Sequence, residues 1–162
     1  MDKSLATLGM LLEKQNNLVL ELLRLGEEEL LALKADNLDE LQEITGKQQV
    51  LSERLAVLEK ERIALQTELA DRLKLTGQLT LKELTDAELP GSEQVAAIGK
   101  TLKENFLKLK ELNETNNLLI RQSLAYVNKM LRVVMTKSQA TYGQNGQVTS
   151  SAQPSLKLDK SV

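Results

Sequence analysis

The stretch from Leu41 to Leu69, LQEITGKQQVLSERLAVLEKERIALQTEL, decides the fold. Leu41, Ile44, Gln48, Leu51, Leu55, Leu58, Arg62, Leu65 and Leu69 follow one another at three- and four-residue steps. That alternation keeps one seam of a helix turned toward a neighbour and marks a coiled coil. Two seam positions, Gln48 and Arg62, are polar. A polar seam residue fixes register at some cost in stability, and both are read that way.

Working outward, Asn37 stands before this stretch with Glu40 three residues on, the pattern of a capping box. The second helix is therefore expected at about 37–75. Upstream, Leu5, Leu8, Leu12, Val19, Leu22, Leu23, Leu30 and Leu33 keep the helical period and predict a first helix at about 5–35. Gly26 lies inside it, where glycine costs roughly 1 kcal/mol relative to alanine. Glu27-Glu28-Glu29 follows, so a bend or fray is expected there. Downstream, Thr76-Gly77 ends the second helix, and Thr80 with Glu83 caps a short turn running to Asp86. Pro90-Gly91-Ser92 is a breaker cluster, with Ser92 suited to cap a third long helix at about 93–137.

The link at Asp36-Asn37 is short, which makes the first two helices an antiparallel hairpin. The longer connection from Thr76 to Gly91 can carry the third helix back along them. The expected fold is all-α: an elongated antiparallel three-helix bundle, or coiled coil, over residues 1–137. A polar, flexible tail is expected at 138–162, where Ser, Thr, Gln, Gly and Asn dominate. Exchange of the first helix between two chains is the alternative pairing, since intra- and intermolecular contacts read alike.

Composition narrows the function. Of 162 residues, 41% are apolar, but only 2% are aromatic, and there is no Cys and no His. The missing types remove thiol chemistry, the usual zinc ligands and the common general base near neutral pH. The 21 basic and 23 acidic residues are mixed along the chain. Without a basic stripe or bases' stacking partners, nucleic-acid binding is not expected. Glu27-Glu28-Glu29 and Asp36-x-x-Asp39-Glu40 lack the glycine and spacing of a calcium loop and are read as a solvated face and a helix cap. No cofactor, no metal and no enzymatic activity are expected. Leu5 to Leu12 lacks a cleavage motif and runs on with helical periodicity, so it is read as helix rather than leader. No run approaches the roughly 20 apolar residues of a membrane span, and a cytoplasmic location is expected.

The third helix changes character half way. Val95, Ile98, Leu102, Leu109 and Leu112 form one ordinary stripe. From Asn116 onward the stripe continues through Leu119, Ser123, Tyr126, Met130 and Val133. A second runs beside it through Asn117, Ile120, Leu124, Val127, Leu131 and Val134. A helix apolar over most of its circumference is usually covered all round, and no further element of the chain is left to cover this one. Either the wide face serves two neighbouring helices of the bundle, or another molecule covers it. On the second reading Leu119, Ile120, Leu124, Val127, Leu131 and Val134 supply contact area to a partner helix. Asn113, Asn116 and Asn117 then supply directional hydrogen bonds.

These residues also resemble a family. The hairpin with Leu33-Lys34-Ala35-Asp36, Leu41, Leu55, Leu58-Glu59-Lys60-Glu61-Arg62 and Leu65 carries part of the likeness. Asn113-x-x-Asn116-Asn117-Leu118-Leu119-Ile120 with Ser123-Leu124-x-Tyr126, and Tyr142-Gly143 with Gly146, carry the more specific part. Together they resemble the flagellar export chaperone FlgN family. The resemblance implies a cytoplasmic, non-enzymatic chaperone that binds hook–filament junction proteins and delivers them to the flagellar type III export gate. It implies that the stripe from Asn116 to Val134 holds the cargo, with Tyr142 the candidate gate contact. The competing class is a structural coiled-coil scaffold that assembles with itself through the third helix.

Overall fold

The structure, a computed structural model, describes residues 3–141, with side chains to residue 137. Four helices follow in order: α1 (Lys3–Lys34), α2 (Leu38–Arg72), α3 (Leu81–Asp86) and α4 (Ser92–Thr141). Among the described residues there is no strand, and the chain is all-α. It divides into two compact units, Met1–Leu119 and Ile120–Val162, with the boundary inside α4.

The first unit is a three-helix bundle with α3 in its longer connection. Gln15 bonds Glu59 and Gln48 bonds Glu29, so α2 runs antiparallel to α1. Gly9 lies against Val95, Asn16 pairs with Asn105, and the Gly26 carbonyl meets Asn116. The numbers rise together, so α4 runs parallel to α1.

The helix ends have local causes. α1 and α2 each close on a left-handed residue, Asp36 and Lys74, with φ of 53° and 54°. After each, the chain bonds back: Asn37 N–H to the Ala32 carbonyl and Leu75 N–H to the Ala70 carbonyl, both at 3.0 Å. This six-to-one closure satisfies carbonyls that a helix end leaves open. Asn37 accepts from Glu40 N–H through its side chain, as expected. The Glu40 carboxylate, however, accepts from the Asn37 amide at 2.9 Å rather than from its backbone. The full reciprocal box forms at Thr80 and Glu83. Ser92, expected as a cap, is instead the first residue of α4 and buried; the Gly91 carbonyl takes the first bond, from Val95.

α1 is the most deeply placed helix. Leu5, Leu8, Leu12, Val19, Leu22 and Leu25 are all buried, because α1 touches both α2 and α4. α2, the cleanest heptad in the sequence, buries only Ile44, Leu51, Leu69 and Ala70; Leu41, Leu55 and Leu65 are half-covered. The connection adds Leu79 and Leu84 to the same core.

Gly26 does not fray α1, which runs unbroken through it. It is a contact point: a β-carbon there would sit 2.7 Å from Leu112 Cδ2. Gly46 is the contrasting case, exposed on α2 with nothing within 4 Å of such a carbon. Gly46→Ala should therefore raise stability by about 0.5–1 kcal/mol, the helix-propensity gain alone. Gly26→Val should lower it, because a β-carbon and two methyl groups must displace Leu112. Urea denaturation of both variants checks the opposite signs.

The two polar seam residues are both satisfied. Arg62 donates to both oxygens of Glu59 and to Gln66, and Gln15 reaches Glu59 from α1 at 2.8 Å. The Arg62 guanidinium holds the Glu59 carboxyl below its ordinary range; partial burial opposes this and the Gln15 amide adds to it. A depressed folded-state value means stability that is present above the unfolded value and lost as pH falls through the folded one. Glu59→Gln should cost about 1 kcal/mol or less at pH 7, since the pair is partly exposed. The gap to the wild type should close as pH falls below about 4. Denaturation midpoints at pH 7, 5 and 3 measure it.

Candidate functional site

The residues expected to contact a partner fall on both sides of the unit boundary. In the first unit, Asn113, Asn116 and Asn117 come together at the wall of a cleft of about 410 Å³ between α1, α2 and α4. Leu119, at the end of that unit, is half-buried. Asn113 and Asn117 are exposed, whereas Asn116 is only 2% exposed. The Asn116 amide nitrogen donates to the Gly26 carbonyl at 2.9 Å and to Glu29 Oε2 at 3.0 Å. Its Oδ1 is buried and accepts no hydrogen bond. Asn116 thus ties α4 to α1, while its two neighbours face solvent.

Glu29 and Gln48 belong to this cleft and were not singled out as site residues by the sequence. Glu29, read as part of a solvated run, is half-buried and accepts from Gln48 Nε2 at 2.9 Å as well as from Asn116. The available signal was the hairpin itself. Folding the chain at Asp36-Asn37 sets the end of α1 against the start of α2, and a polar seam residue such as Gln48 needs a polar partner across it.

In the second unit, Ile120 is half-buried and the apolar positions beyond it are open. Leu124 and Val134 are each 58% exposed, with Val127 and Leu131 close behind. Tyr126, Met130, Val133 and Met135 are exposed as well. Leu124, Val127, Leu131 and Val134 recur at helical spacing, so their side chains form one continuous strip. Tyr142 lies outside the described residues.

Among the described residues no group of three or more acidic, His or Cys side chains is placed to hold a metal ion. No described helix is long and apolar enough to cross a membrane. The first unit offers a cleft lined by directional polar groups, and the second offers exposed apolar area.

A family model described as FlgN protein matches residues 1–150, which takes in the whole bundle and all of α4. The chain belongs to the FlgN family. Comparison with curated proteins and with solved structures gave no match. Membership of FlgN carries the family's general role, that of a flagellar export chaperone.

The three asparagines of the FlgN-like stretch should separate by stability. Asn116→Ala removes one buried and one part-buried hydrogen bond and should cost about 1–3 kcal/mol. Asn113→Ala and Asn117→Ala, at exposed positions, should stay within about 0.5 kcal/mol of the wild type. Equal losses in all three, measured by chemical denaturation, would contradict the burial assigned to Asn116.

Proposed function

We propose that this FlgN-family protein is a cytoplasmic chaperone that binds hook–filament junction proteins through α4 and delivers them to the type III export gate. The observation that carries this reading is the open apolar strip of Leu124, Val127, Leu131 and Val134. An exposed strip of that kind, on a helix, suits the apolar face of a partner helix. Leu119 and Ile120 belong to the same α4 series, and the exposed Asn113 and Asn117 are proposed to add polar contacts, whereas Asn116 is engaged with α1. A cargo segment held there stays out of water and out of premature assembly until export.

Affinity on such a surface is moderated by the entropy of ordering the cargo, which favours release at the next step. Tyr142, beyond the strip, is the proposed contact with the export gate. The same strip would also suit a second copy of the chain, as in a self-assembling coiled-coil scaffold.

Titration calorimetry with a hook–filament junction protein tests the choice. Leu124→Glu or Leu131→Glu should weaken binding at least tenfold while circular dichroism stays near the wild type, because neither side chain is in the core. Tyr142→Ala should leave that affinity unchanged and lower export. If the wild type ignores the junction protein and sediments as a dimer that Leu124→Glu dissociates, the scaffold is the better account.

A further inference from the structure

The two polar interruptions of the α2 seam are built alike and completed differently. Around Arg62, an amide from α1, Gln15, donates to a carboxylate on α2, Glu59, and the Arg62 guanidinium completes the group with bonds to both Glu59 oxygens. Around Gln48 the roles are exchanged. The amide comes from α2 and the carboxylate, Glu29, from α1; a second amide, Asn116, donates from α4 to the same carboxylate oxygen. No Lys or Arg among the described residues pairs with Glu29.

The cleft of about 410 Å³ opens beside this second group, and Glu29 is the one charged residue in its wall. Each group also holds one buried amide oxygen without a donor, Gln15 Oε1 in the first and Asn116 Oδ1 in the second, so what separates them is the counter-ion. Asn113 and Asn117, at exposed positions, complete the wall. A half-buried carboxylate without a counter-ion, in a wall whose other polar members are neutral, calls for a positively charged group with several N–H donors. A hydroxyl or a neutral amide would leave the charge of Glu29 uncompensated, and an anion would meet Glu29.

We propose that this cleft receives the guanidinium of an arginine carried by the bound partner, in the role that Arg62 fills for Glu59. This rests on the chaperone reading above and adds to it a chemical requirement on the cargo. Arginine suits the cleft better than lysine, because its planar fork can engage a carboxylate with two bonds and still present donors to a neighbouring oxygen. The cleft then selects which segment is bound by the charge it carries.

Two measurements on the full chain test this. In the first, the side-chain amide resonances of Gln48 and Asn116 are followed by NMR as n-butylguanidinium is added, with the neutral isostere n-butylurea as reference. A saturable shift with the guanidinium alone is expected. It should be lost in Glu29→Gln, which removes the charge and keeps the shape. It should also be lost in Asn113→Lys, whose exposed position cannot threaten the core and whose ammonium would fill the cleft from within. In the second, a hook–filament junction protein is titrated into the wild type and both variants, and each variant should bind about tenfold more weakly. Equal shifts with butylurea, or no saturable shift in the wild type, would overturn the proposal. So would unchanged cargo affinity in both variants. If the wild type binds no junction protein, the chaperone reading fails by itself, and the guanidinium titration still decides the cleft.

Discussion

Where Gly26 has no side chain, Leu112 takes the space, and Asn116 reaches the carbonyl group behind it. This contact constrains much else in the first unit. α4 can lie against α1 at that level only because the glycine lets it, and it must lie in that register because a buried amide needs its acceptor. An apolar pair could slide by a turn at small cost. A buried asparagine with two fixed acceptors cannot, since each lost bond leaves a polar group in a dry interface. Asn105, pairing with Asn16 at 2.8 Å, pins the same two helices about three turns nearer their starts. The parallel course of α1 and α4 is thus set by polar points, while the leucines between them supply the area.

Much of this architecture was legible from periodicity. The helices expected at about 5–35, 37–75 and 93–137 differ from the observed ones by a few residues, and the capped turn before Asp86 is α3. Such agreement is natural where a chain has few aromatics, two prolines and leucines at helical steps, because no competing pattern exists. The misreadings share one cause. Gly26, Glu29 and Asn116 were each judged by local rules, as a helix weakener, a solvated charge and a surface donor. Their actual roles depend on what lies across an interface, and the distance in sequence from Gly26 to Asn116 is 90 residues. A single sequence carries hardly any signal at that separation.

The candidate site was legible in a complementary way. The double stripe beyond Asn116 has more apolar positions than a bundle face requires, and its side chains from Leu124 to Met135 do stand exposed. Surplus hydrophobicity can be counted along one helix, so the strip is visible without tertiary information. The polar cleft is not. Its carboxylate comes from α1, one amide from α2 and the rest from α4, and none is unusual in its own segment. Its significance appears only beside the Gln15–Glu59–Arg62 group, where the same parts are present together with their counter-ion.

That comparison bears on how an export chaperone can be both adaptable and selective. Apolar contact on an exposed helix is tolerant: it rewards any partner with leucines at helical spacing, and the chain's own neighbours in the cell offer many. Discrimination needs a group that penalises the wrong partner. A half-buried carboxylate does this, because a segment that covers Glu29 without a donor strips water from a charge and returns nothing. The penalty acts before any attraction is counted, and it falls on every apolar helix that lacks a cation in the right place. A chaperone that must release its cargo cannot raise selectivity simply by binding more tightly. Placing an unpaired charge where a wrong partner would bury it raises selectivity at constant affinity, and the Glu29 cleft has the composition to do so.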